Sequence, residues 1–222
     1  LGIQKGIRIS QDEYYARRAN YWEGAELRDA PTSGTVNNLN VFIRFADENE
    51  LETPRSFFDT YFNATDEPSL KHYYQEVSYN ALTVKTHHFP VSDLSSNLSY
   101  QDSYPRSYYQ PYNAVTNPNG YSTNNQARIR EHTLLQNSIE FIESEVPDTL
   151  IIDGDGDGRV DNVTFLVNGS PDGWADLLWP HRWVLHTYNV YIHGTRVYDY
   201  NLNLTTGGYF TVGTLCHEFF HS

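Results

Sequence analysis

The stretch GTLCHEFFHS, residues 213–222, ends the chain, and its unit His217-Glu218-Phe219-Phe220-His221 decides how the rest is read. On a helix, residues four apart lie one turn above each other on the same face, so His217 and His221 can offer ring nitrogens to a single ion. A tetrahedral zinc takes such nitrogens as ligands. Glu218 then falls beside the metal, where a carboxylate can accept a proton from metal-bound water. Phe219 and Phe220 are expected to face an interior, and Thr211 with Gly213 marks the start of the helix. Neighbouring helical residues diverge by about 100°, so Cys216 is expected to be a small core residue and not a further ligand. The alternative for the histidine pair is two surface side chains, one turn apart, that hold nothing.

Upstream lies Asp153-Gly-Asp-Gly-Asp-Gly-Arg-Val-Asp161, with acids at relative positions 1, 3, 5 and 9. Carboxylates this close repel one another unless a hard cation gathers them, and the glycines allow the chain to curve around it. Calcium is the expected ion, with Asp153, Asp155, Asp157 and Asp161 as ligands and Arg159 contributing its backbone carbonyl. An EF-hand would place a Glu at position 12, where this chain has Thr164, so a calcium loop of another type is expected. The alternative is a solvated acidic turn.

Composition narrows the partners. Fifteen Lys and Arg stand against 28 Asp and Glu, a formal charge of −13, and such a surface repels phosphate backbones. Nucleic acid is therefore not an expected partner. No apolar run reaches the length of about 18 residues that a membrane span requires, so no membrane insertion is expected. A single cysteine excludes an internal disulfide framework. The chain begins at Leu1 and has no Met, which reads as a processed protein or a fragment that an export signal could have preceded.

Residues 1–36 read as an N-terminal extension or the end of a prosegment, with a helical stretch at 12–27 and a turn at 31–34. The main domain is then expected over 37–222. Within it, LNVFIRFA (39–46) is a buried strand by its β-branched and aromatic content. Residues 54–62 and 69–77 read as short helices, the first behind a proline. A strand at 79–89 leads to a Ser-, Tyr- and Asn-rich surface excursion over 92–120. Apolar spacing predicts a helix over 124–144 and strands at 163–167, 189–192 and 196–200. The expected class is α+β, a twisted mixed sheet packed on helices with the motif helix last and an edge strand beside a cleft.

Three blocks in order, IIDGDGDGRVDNVTFLVNG (151–169), LLWPHRW (177–183) and GTLCHEFFHS (213–222), resemble the immune inhibitor A family of secreted bacterial zinc metallopeptidases, a branch of the zincins. VFIRFAD, SFFDTYF and LKHYYQEVSYNALTV, beginning at residues 41, 56 and 70, are similar to that family's opening strand, helix pair and second strand. The resemblance implies a zincin upper subdomain, zinc on His217 and His221, Glu218 as general base, protein or peptide substrates, and a secreted or cell-surface location in a bacterium. It also implies an acidic third ligand beyond the second histidine, a position the 222 residues do not reach. Weak zinc binding and negligible proteolysis are expected of the chain by itself. Trp179-Pro180-His181 matches the family without a derivable role, and a buried histidine bonded to backbone is the expectation for His181. Two other classes stay open: a secreted calcium-dependent adhesion or glycan-binding module, and a protein whose zinc is only structural.

Overall fold

The computed structural model describes residues 30–171 and 176–221. The helix expected at 12–27 lies outside them.

The main sheet is mixed and grows around β1 (Gly34–Arg44), whose eleven residues carry the apolar run read as the first strand. Its partners on either side are β2 (Leu82–Phe89) and β4 (Val163–Val167), both parallel to it. Because β2 pairs only as far as Val41, the short β3 (Tyr100–Gln101) continues that side beside Ile43 and Arg44. β8 (Asp199–Leu204) runs parallel to β4, and β5 (His181–Val184) closes the order β2-β1-β4-β8-β5 as an antiparallel edge. β6 (Val190–Ile192) and β7 (Thr195–Val197) form a separate hairpin. Parallel neighbours require crossovers, and the helices supply two of them.

Four α-helices lie among the described residues. α1 (Arg55–Asn63) starts behind Pro54, and α2 (Leu70–Val77) is capped by the Ser69 hydroxyl, which accepts the His72 N–H. α3 (Asn124–Ile142) is capped likewise by Thr123, and α4 (Val212–Phe220) by Thr211. Each cap satisfies an N–H that has no partner inside its helix.

Strand alternation divides the core. Leu39, Val41 and Ile43 point with Phe165 and Leu202 toward Leu134, Leu135 and Ile139 of α3. Val36, Phe42, Val84 and Leu166 point the other way, against Phe58 and Phe62 of α1, Leu70 and Tyr74 of α2, and Leu215 and Phe219 of α4. β4, covered on both faces, is buried at every position. Fully burying a Phe or Leu contributes about 1.5–3 kcal/mol each, so this central strand fixes where both helical layers sit.

Several expectations change. β1 begins at Gly34, inside the stretch read as an extension. The excursion over 92–120 is not wholly superficial: Tyr109 and Asp102 are buried, with the Tyr109 hydroxyl donating to the Asp102 carboxylate at 2.7 Å. The strand expected at 196–200 straddles two, β7 and β8. β5 was not anticipated, because four partly polar residues after a proline carry no apolar alternation. Asn38, Asn40, Asn201 and Asn203 are buried, and Asn38 and Asn201 join Asn162 in a ladder across the sheet. Asn201 donates to Asn162 (2.7 Å), Asn162 to Asn38 (2.6 Å) and Asn38 to Thr86 (3.1 Å). Mutual hydrogen bonding removes the cost of burying these amides.

Candidate functional site

α4 lies on the β8–β5 end of the sheet. Leu215, Cys216 and Phe219 face inward, and the Cys216 carbonyl accepts the Tyr74 hydroxyl at 3.0 Å. Burial pushes the Cys216 thiol up to about 12, so it is an inert core residue. The opposite face carries His217, Phe220 and His221, all exposed. Phe220, expected inside, is 53% exposed, since it sits one turn from His217 on the outward side.

The two histidines converge. Nε2 of His217 and Nε2 of His221 are 3.2 Å apart, with the rings nearly perpendicular. Two nitrogens bound at about 2.0–2.1 Å to a tetrahedral zinc would stand about 3.3 Å apart. The donor pair therefore fits such an ion. Glu218, between them in sequence, is buried against the sheet edge, where its carboxylate accepts the backbone N–H of Arg182 on β5. Burial raises its pKa; the charges of His181 and His217 and the Arg182 N–H act against that rise.

Behind Glu218 is a polar node absent from the sequence reading. Glu131 of α3 is 1% exposed and accepts from His181 Nε2 at 2.8 Å and from the Tyr200 hydroxyl. His181 Nδ1 faces the Trp179 carbonyl at 2.6 Å. His181 is thus bonded to backbone, as expected, and to a carboxylate as well. Burial alone would lower His181, but the Glu131 charge and hydrogen bond, the Trp179 carbonyl and Glu218 raise it to about 9. For Glu131, burial pushes upward and the His181 charge and hydrogen bond, His132 and the Tyr200 hydroxyl bring it below its usual value. The available signal was Glu131 itself, an acid on the inward stripe of α3 with Leu134, Leu135 and Ser138, since buried acids are nearly always paired.

Four further histidines have hydrogen-bonding partners elsewhere in the fold. His88 lies between Asn40 and Asp59, His87 meets Asn37, His193 meets the Val146 carbonyl, and His186 meets the Val184 carbonyl and Arg128.

In the aspartate loop, carboxylate oxygens of Asp153, Asp155 and Asp161 lie within 4.8 Å of one another. Asp157 does not join this group. It caps the turn instead, accepting the Arg159 N–H at 2.7 Å. Asp153 accepts the N–H groups of Gly156, Asp157 and Gly158, which preshapes the loop. Gly156 and Gly158 have φ of 78° and 86°, the left-handed region that favours glycine. Asp161 is 1% exposed; its Oδ1 accepts the Gly154 N–H, while its Oδ2 is buried with no hydrogen-bond partner. Burial, outweighing the Gly154 bond, and the charges of Asp155, Asp153 and Asp157 raise Asp161 to about 6. The Arg159 N–H faces the loop, because the bridge to β7 uses the Gly158 carbonyl and the Val160 N–H.

No family model matches the chain, and no curated protein matches it. Among the described residues, no helix is long and apolar enough to cross a membrane.

Proposed function

We propose that the protein is a zinc-dependent endopeptidase of the zincin type, related to the immune inhibitor A family, with His217 and His221 as zinc ligands and Glu218 as general base. The observation that carries this reading is the 3.2 Å approach of the two imidazole nitrogens on the outward face of α4, with Glu218 on the same helix, buried against β5 and within the influence of the His217 charge. When bound, zinc would supply a polarised water and a Lewis acid for the scissile carbonyl. The side chains contribute the rest. Glu218 takes the proton and later passes it to the leaving amine, a role suited to a carboxylate that burial has made more basic. The antiparallel edge β5 offers backbone groups to an extended peptide, which would lie along it as an added strand. A downstream acidic ligand is part of this proposal.

The aspartate loop is proposed as a structural calcium site on Asp153, Asp155 and Asp161. Calcium binds through several carboxylate and carbonyl oxygens, and the bare Asp161 Oδ2 is such an oxygen, held in place beforehand. The loop joins separate parts of the fold: Ile151 accepts from Asn37 at 2.7 Å, and Val160 donates to Arg196 at 2.8 Å. A cation there ties β1, the start of β4 and β7 together.

Metal analysis of the purified protein, extended past Ser222 to include the downstream ligand, tests both assignments. The expected result is zinc that is lost in His217→Ala and His221→Ala, with calcium that persists in both. Calcium without zinc would overturn the peptidase reading and favour a calcium-dependent adhesion or glycan-binding module. In the zinc-loaded protein extended past Ser222, Glu218→Ala should lower peptide hydrolysis by about 10²- to 10⁴-fold with zinc retained. Undiminished turnover in that variant would instead leave zinc a structural role.

A further inference from the structure

We propose that Glu131 and His181 form a built-in ion pair whose cationic end positions Glu218, making His181 a positioning residue for the proton-transferring carboxylate. The proposal rests on the peptidase reading above. Its geometry does not.

Both ring nitrogens of His181 face acceptors: a backbone carbonyl, which can only accept, at Nδ1, and the Glu131 carboxylate at Nε2. A neutral imidazole can donate from only one nitrogen, and would set the other's lone pair against one of these oxygens. The doubly protonated ring satisfies both. Tyr200 donates to the same Glu131 oxygen and helps hold the carboxylate ionised. The groups around His181 come from three elements: Glu131 and His132 of α3, Tyr200 of β8, and Glu218 of α4. Burial lowers His132 to about 4, so at neutral pH it adds no competing charge. His181 remains protonated well above neutrality, in keeping with its raised value of about 9.

His181 acts on Glu218 in two ways. Its charge is felt directly by the Glu218 carboxylate. It also anchors the first residue of β5, and the next residue, Arg182, donates its backbone N–H to that carboxylate. Arg182 is held in turn by its side-chain ion pair with buried Asp199 of β8. The carboxylate is thus oriented by strand β5 and by a fixed charge behind it, both set through a contact to α3.

Two measurements decide the proposal. In the 222-residue chain with ¹⁵N-labelled histidine, the ring nitrogens of one imidazole, assigned by its disappearance in His181→Gln, should both read as protonated through neutral pH. In Glu131→Gln that imidazole should lose its second proton at a markedly lower pH than in the wild type. A neutral, singly protonated His181 at neutral pH would overturn the ion pair, whatever the protein's activity. In the zinc-loaded protein extended past Ser222, His181→Gln and Glu131→Gln should each lower kcat by about 10- to 100-fold, the usual cost of losing a supporting partner behind a metal site. KM and zinc content should hold, and the double variant should lose little more than either single one. Unchanged kcat in both variants, or a loss that appears only in KM, would overturn the positioning role. An extended wild-type protein with neither zinc nor hydrolysis would overturn the peptidase reading and this role with it, while the nitrogen spectrum would still decide the ion pair.

Discussion

The aspartate loop and the face of α4 each gather polar atoms around a point, but they do so on different scales. The loop is local: Asp153, Asp155 and Asp161 lie within nine residues, and their orientation comes from N–H groups of the same loop. On α4 the histidine pair is equally local, one helical turn apart, yet its glutamate depends on β5, and β5 on Glu131, which is 50 residues from His181. A site built from neighbours can be damaged without disturbing the rest of the fold. One assembled from a helix, a strand edge and a buried ion pair transmits damage, because each part is oriented by the next.

Substitutions should separate the two. The largest effect is expected from His217→Ala or His221→Ala, which should abolish zinc retention and leave the calcium-dependent melting shift intact; a joint loss of both would break the distinction. Next comes Glu131→Ala, which leaves the half-buried His181 imidazolium without its partner and should cost up to about 3 kcal/mol. Urea unfolding measures this, with the calcium shift again preserved.

The same pair gives the wild type a pH dependence. His181 has a folded value of about 9, above its unfolded 6.5. Its contribution to stability is therefore fully present below pH 6.5 and is lost as pH rises through 9. His181→Gln should flatten that part of the curve.

Calcium should come third in size. At a concentration a hundred times its Kd it would contribute about 2.7 kcal/mol, which is about 5–10 °C in Tm for a chain of this size. Asp161 reverses the usual carboxylate pattern. Its folded value of about 6 exceeds the ordinary 3.8, so the metal-free protein loses stability as pH rises from 3.8 through 6. Calcium cancels that loss, and the melting shift should be larger at neutral pH than in mild acid and should vanish in Asp161→Asn. An unchanged melting curve in excess chelator would remove the loop from the set of cation sites. The smallest effect is expected from Thr211→Ala, which removes the α4 cap for about 1 kcal/mol; a 2–4 °C drop in Tm with zinc retained would show that the histidine pair survives a looser helix start.

The features legible in the sequence were those whose cause is local. β4 follows from a run of five apolar and β-branched residues, α3 from its three-and-four spacing, and α4 from Thr211 and the periodicity behind it. The convergence of His217 and His221 follows from helical geometry, and the acid cluster from alternating Asp and Gly. The illegible parts are contacts between distant segments. Asn38, Asn162 and Asn201 alternate with apolar residues as though one strand face met water, and only the arrival of α1, α2 and α4 on that face buries them. Asp157 has the spacing of a ligand but is held as a turn cap.

By itself, then, the sequence determined the chemistry on offer: two imidazoles one turn apart, a carboxylate between them and a knot of aspartates, because helix pitch and short loops act within a few residues. The tertiary structure decided which way that chemistry faces. It put Phe220 outside and Glu218 inside, made an edge strand of residues 181–184, and set Glu131 behind His181. The physical reason is burial: a charge or amide taken out of water needs a partner, and which partner it meets depends on how the sheet and helices close around it.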